Sequence, residues 1–182
     1  MRLFIAVPLP DPTRDALIGL QEQLRPKVKR ATWVKRDAMH VTLRFLGDCE
    51  DDFAPEVGEM LGEALADQPA FETVLQGGGA FPNPRRPKVF WVGLEDGGKF
   101  GQLAHVTNLA LAALGLAAPA KPFAPHITLC RLRGPWLGGL PPQLETLGEI
   151  GRFQVDRLVL FKSDLHPVAP VHTELFSVAL RG

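Results

Sequence analysis

The chain has 182 residues, 20 basic and 20 acidic, with zero formal net charge and 46% apolar content. This is the make-up of a folded soluble protein and argues against disorder. The balanced charge argues against a protein that grips long nucleic acid through many phosphates, since that role calls for a basic excess. A nucleic-acid substrate, if there is one, is then handled at an end or as a short piece.

Leu3 to Val7 is an unbroken apolar run closed by Pro8 and predicts a buried strand. Asp11 or Thr13 then caps a helix to about Leu24, with Ala16, Leu17, Leu20 and Leu24 on one stripe. Trp33-Val34 and His40 to Phe45 read as extended, ended by Gly47-Asp48, and a helix is expected from about Asp52 to Ala66. Strands Phe71–Leu75 and Val89–Leu94 flank an expected loop from Gly77 to Pro87. The second half repeats the plan: a helix from about Phe100 to Leu116, a strand His126–Arg131, a loop Gly134–Pro142, one strand Phe153–Phe161 and a last strand His172–Leu180.

This alternation predicts an α+β fold: one bilobal domain over residues 1–182, its two related halves bringing antiparallel sheets to a central cleft with helices outside. Two cysteines, Cys49 and Cys130, are too few for a disulfide framework or a metal knuckle. The opening apolar run is too short for a signal peptide, and no run approaches a bilayer span. A reduced cytoplasmic monomer, away from membranes, is expected.

One four-residue pattern occurs twice, as His40-Val41-Thr42-Leu43 and His126-Ile127-Thr128-Leu129, 86 residues apart. In a strand, side chains two apart share a face, so each copy offers an imidazole and a hydroxyl opposite a pair of core residues. Near neutral pH one imidazole can be neutral and another charged. Two such strands across a groove supply a base, an acid and two hydroxyl donors, enough to transfer a phosphoryl group without a metal. A single copy is a common accident; it is the repetition that points to chemistry.

The chain resembles the two-histidine phosphoesterases, specifically the bacterial and archaeal RNA 2′,3′-cyclic phosphodiesterases, also called 2′-5′ RNA ligases. The resemblance runs along nearly the whole chain: Arg2 to Val7, Trp33-Val34 leading into His40 to Gly47, Ala80 to Pro87 before Trp91-Val92-Gly93, and Lys121 to Arg131. It implies hydrolysis of RNA 2′,3′-cyclic phosphate ends to a 2′-phosphomonoester, with no metal and no cofactor, and reversible 2′-5′ ligation as a further activity. His40 is implied as general acid to O3′ and His126 as general base to water, with Thr42 and Thr128 holding the non-bridging oxygens. The roles of the two histidines swap for the reverse reaction. One segment departs from the family pattern: Ser163 to His172 has Ala169 where glycine is usual and His172 where tyrosine is usual, and the chain has no tyrosine at all.

Other residues carry alternatives. Arg131 either reaches the phosphate or forms a surface ion pair, and Arg44 is expected to be solvated. Arg85, Arg86 and Lys88 form a basic loop that either guides an RNA end or is a soluble connection. Phe45, Phe123 and Trp91 are candidates for stacking on a base, but the odd offset of Phe45 from His40 assigns it to the core. His105 belongs to a helix surface and His166 has no partner. No His-Glu-x-x-His, Cys-x-x-Cys or Gly-x-x-x-x-Gly-Lys spacing occurs. The competing class is a binding module that holds an RNA end or nucleotide without turnover; a complete acid–base pair favours the enzyme.

Overall fold

Arg2–Pro8 forms β1, and its five central residues are all buried because neighbouring strands pair along both of its edges. In the computed structural model, which describes residues 1–166 and 170–182, the chain continues through α1 (Asp11–Leu24), β2 (Ala31–Trp33), β3 (His40–Asp48) and α2 (Phe53–Leu65). There follow β4 (Phe71–Phe81), β5 (Val89–Glu95), α3 (Lys99–Ala113), β6 (His126–Leu132) and the single turn α4 (Pro142–Glu145). The last strands are β7 (Gly151–Val155), β8 (Arg157–Asp164) and β9 (Val171–Ala179).

The strands make two antiparallel sheets, one in the order β3-β1-β8-β9 and one in the order β2-β6-β5-β4-β7. The α+β architecture expected from the sequence is the one observed. Neither sheet comes from one half of the chain. β2 from the first half edges the second sheet, and β8 and β9 from the second half complete the first.

The main core lies between helices and sheets and includes Leu17, Val41, Leu61, Phe90, Phe100 and Leu129. A second, smaller cluster of Phe4, Ala6, Val159 and Phe161 lies apart from it. Alternation along β1 and β8 puts these four on the opposite face of the first sheet from Leu3, Ile5, Leu158 and Leu160 of the main core. Among the described residues no helix is long and apolar enough to cross a membrane.

Two expectations fail in instructive ways. The triple glycine Gly77-Gly78-Gly79 is not loop: β4 runs through it to Phe81 and pairs with β5, with a register break between Leu75 and Gly78. Glycine is needed there for close approach, since a Cβ on Gly79 would come within 2.2 Å of the Trp91 ring. The actual loop is shorter and is braced by the Asn83 carboxamide, which accepts from the backbone N–H groups of Arg85 and Arg86 at 3.0 and 3.1 Å. The single strand expected over 153–161 is two strands: β7 pairs with β4, and β8 pairs with β1 after the chain changes sheet at Asp156. Of the departure at 163–172, residues 167–169, Ala169 among them, lie outside the described residues.

Candidate active site

β3 buries Val41 and Leu43 in the core and leaves His40 and Thr42 half-buried on its other face; β6 does the same with Ile127 and Leu129 against His126 and Thr128. The two strands approach each other where the sheets meet. His126 Nδ1 lies 2.7 Å from the carbonyl oxygen of Ala124, and the backbone of Ala38, likewise two residues back, hydrogen-bonds His40 and favours its charged form. A carbonyl only accepts, so Nδ1 of His126 carries the proton and its Nε2 is left free to meet a substrate.

Both motif strands then break regular alternation at the same residue. Along β3, Thr42 is opposite Ala6 and Arg44 is opposite Ile5, so Leu43 is a bulge; along β6, Thr128 is opposite Trp91 and Cys130 is opposite Phe90, so Leu129 is a bulge. One extra residue reverses the facing of everything after it. The fifth residue after each histidine, Phe45 in β3 and Arg131 in β6, therefore returns to the histidine's own face. The core assignment of Phe45 is overturned: it is 66% exposed, its ring 5.9 Å from that of Phe4. Arg131 is exposed and makes no ion pair among the described residues, which leaves its guanidinium free to reach a phosphate.

His40 sits in an aromatic nest. Its ring centroid is 4.9 Å from Phe4, 6.3 Å from Phe161 and 5.4 Å from His172, which meets it edge-on. Burial, and next the charge His172 would carry, push His40 down to about 4, against the opposing hydrogen bond to Ala38. His126 is also lowered, chiefly by burial and then, against the bond to Ala124, by the cation of Arg131. His126 bears on His40 electrostatically as well, in the same downward direction. The ring of His126 is edge-on to Phe81 at 4.8 Å and 6.2 Å from Trp91.

A cavity of about 130 Å³ opens beside His40 and is lined in part by Arg14, Asp37, His172 and Glu174. His172, where the family tyrosine is usual, thus lies against the first motif histidine, and burial lowers it. Phe4, Phe161 and Arg14 were not singled out from the sequence. Nothing in an unbroken apolar run tells which residues of a doubly covered strand face a site.

The remaining candidates sort plainly. Arg44 is half-buried and anchored, donating to Asn108 of α3 at 3.2 Å and to the Ala117 carbonyl beyond that helix. Phe123 packs near Phe100 rather than at the site. Trp91 shares the His126 face, half-buried. His105 and His166 are exposed. Cys130 is buried and its thiol is pushed up to about 11 by that burial, so it is a packing residue. Among the described residues no three of His, Cys, Asp or Glu converge as a metal-ligand set.

The chain matches the family model described as LigT like Phosphoesterase over residues 7–91 and 97–172. A Thermus thermophilus relative named RNA 2′,3′-cyclic phosphodiesterase is 36% identical over 189 aligned positions, covering 100% of this chain and 91% of its own. One of the same name from Thermotoga maritima is 30% identical, covering 100% and 97%. Among solved structures, a Thermus thermophilus protein superposes with a TM-score of 0.86 at 32% identity, covering 100% of this chain and 99% of that one. The E. coli LigT complexed with 3′-AMP superposes with a TM-score of 0.79 at 27% identity, covering 98% and 97%. The chain belongs to the LigT-like phosphoesterase family, within the two-histidine superfamily.

Proposed function

We propose that the protein opens the 2′,3′-cyclic phosphate at an RNA end to a 2′-phosphomonoester, with the two histidines as its acid–base pair and without a metal. The observation that carries this reading is the pair of His-x-Thr strands meeting at one place, each histidine hydrogen-bonded to the backbone two residues back and His126 with its Nε2 free. The names of the relatives supply the substrate.

In this reading His126 Nε2 takes a proton from water as its oxygen attacks phosphorus. The P–O3′ bond breaks and His40 gives its proton to O3′. An in-line displacement needs its two proton-transfer groups on opposite sides of phosphorus, which two separate strands can satisfy. Thr42, Thr128 and Arg131 hold the non-bridging oxygens as charge grows there. Burial holds His40 near 4 in the free protein, so the proton it delivers must be sustained by the anionic phosphate once bound. With a 5′-hydroxyl in place of water the same displacement forms a 2′-5′ bond, and its reverse cleaves one.

The test is a short RNA ending in 2′,3′-cyclic phosphate, assayed with EDTA present, for the wild type, His40→Ala and His126→Ala. Conversion to a 2′-phosphate end, lost by orders of magnitude in both variants, is the expected result. Binding without conversion by the wild type overturns it in favour of a binding module. A phosphodiester with a p-nitrophenolate leaving group separates the roles, because such a group departs without a general acid. His40→Ala should retain most activity on it, and His126→Ala should not.

A further inference from the structure

A second cavity lies at the far end of β6 from His126. Its volume is about 230 Å³, and it is lined by Lys27, Lys29 and Arg30 together with Leu132, Gly134, Pro135 and Trp136. Three segments distant in sequence meet around it. The Arg133 N–H donates to the Arg30 carbonyl at 2.7 Å, and the Leu132 N–H donates to the Lys88 carbonyl at 2.9 Å. Arg131 and Arg133 thereby sit between the basic loop Arg85, Arg86 and Lys88 on one side and Lys27, Lys29 and Arg30 on the other.

The charge at this end is one-sided. No acidic residue occurs between Glu22 and Asp37, between Glu72 and Glu95, or between Asp96 and Glu145, the stretches that supply the three segments. All eight cations are exposed, and among the described residues none has a carboxylate within salt-bridge distance. A chain of zero net charge has thus concentrated unpaired positive charge at one end of one sheet. Such a field attracts a polyanion and is screened over about 8 Å at physiological salt.

The patch meets the site at Arg131, which is on the His126 face of β6 and whose cation lowers His126. Leu132, which lines the cavity, faces the other way, so a strand that occupies both turns around the end of β6. Six residue steps of β6 separate His126 from Leu132, about 20 Å of strand. A nucleotide bound at the histidines alone does not reach that far, whereas about 20 Å accommodates roughly six nucleotides of a helically stacked strand. Cations beside an aromatic wall are the combination that holds single-stranded nucleic acid, through phosphates and base stacking. Trp136 is half-buried and fixed by its Nε1–H, which donates to the Gly139 carbonyl at 2.7 Å.

We propose that the Lys27–Lys29–Arg30 and Trp136 pocket binds the single-stranded body of the RNA whose cyclic-phosphate end is at the histidines. This rests on the reading of the substrate as an RNA end. It makes the protein a reader of RNA bodies as well as of termini, with a preference for oligonucleotides over mononucleotides.

The experiment compares the wild type with the triple variant Lys27→Ala, Lys29→Ala, Arg30→Ala in two assays. The first is fluorescence anisotropy with an unreactive 3′-hydroxyl single-stranded RNA of about ten nucleotides. The second is turnover of a nucleoside 2′,3′-cyclic monophosphate. The variant should bind RNA about tenfold or more weakly at about 0.1 M salt, with a log–log salt slope shallower by about two. Its mononucleotide kcat/KM should be unchanged. Unchanged RNA binding and slope, or mononucleotide turnover that falls as far as binding does, overturns the proposal. Failure of the wild type to turn over any cyclic phosphate, while cation-dependent RNA binding persists and thermal unfolding is unaltered, overturns the catalytic reading and upholds the RNA surface.

Discussion

β3 and β6 carry the same His-x-Thr-Leu, bulge at the same leucine and hydrogen-bond their histidines to the backbone two residues back, yet they present different chemistry beyond the threonine. In β3 the fifth residue after histidine is Phe45, and the surroundings are Phe4, Phe161 and His172. In β6 that position is Arg131, at the start of a run of cations. One strand presents an apolar shelf and the other a positive one. A ribose phosphate terminus, the substrate proposed above, is itself two-sided, with a flat base and an anionic phosphate, and the divergence of the two copies at this position suits it. The lesson is that the bulge creates the opportunity and the residue placed after it assigns the role.

The comparison can be broken at several depths. Removing either imidazole strikes what the strands share: His40→Ala and His126→Ala should each lower kcat by about 10²- to 10⁴-fold, measured by single-turnover conversion of a cyclic-phosphate RNA. Thr42→Val and Thr128→Val should each cost about 10²-fold in kcat with little change in KM, because the hydroxyls matter most when charge builds on the phosphate. Equal losses from the two threonines would make the strands equivalent at this level.

Position five after histidine is where the strands should differ. Phe45→Ala should raise KM for nucleotide substrates by an amount worth about 1–3 kcal/mol of lost stacking, with kcat nearly intact. Arg131→Met should instead reduce kcat/KM and raise the His126 pKa, since a depressing cation is gone. Imidazole proton NMR titration reads that shift directly. If the two variants behave alike, the division of labour between shelves is wrong.

The pH dependence sharpens the contrast further. One imidazole must be charged and the other neutral, and in the free protein His40 lies near 4 and His126 below its ordinary 6.5. The singly protonated pair is therefore richest between those limits, mostly with its proton on His126. The arrangement with the proton on His40 is a constant minority of it, so kcat/KM should still fall on the alkaline side of His126. The kcat profile should lie at higher pH, because a bound anion raises both groups. Stability moves in the same window with the opposite slope. As pH drops from 6.5 toward about 4, the unfolded chain gains a proton on His40 that the folded one refuses. Folding should lose up to about 3 kcal/mol across that range, visible as a lower urea midpoint, and less so in His40→Asn.

Much of the candidate site was legible because strand alternation is strict over short spans. His40 with Thr42, and His126 with Thr128, are two apart and precede the bulges, so parity placed them correctly. The same parity argument misassigned Phe45, since a bulge at Leu43 leaves no mark on the pattern of apolar residues. The triple glycine was misread as loop because glycine signals both a turn and a backbone that must pass beneath a large ring, and only the fold put Trp91 over Gly79. Phe153 to Phe161 was misread as one strand because it stays largely apolar while changing sheet at Asp156. Register and sheet membership are properties of partners, and partners lie far off in sequence.

The composite make-up of the first sheet means that it can be completed only after β8 and β9 have been synthesised. β1 is made first, yet one of its edges is completed only by β8, where Leu3 sits opposite Lys162 and Ala6 opposite Val159. A nascent chain that has released β1, α1, β2 and β3 carries a strand apolar on both faces with one edge still unpaired, a state prone to wrong pairing. Phe161 and His172, which enclose His40, arrive on the last two strands. The first histidine is thus translated early and acquires its working environment last, so a partly synthesised chain carries both motifs but has only one of them properly housed.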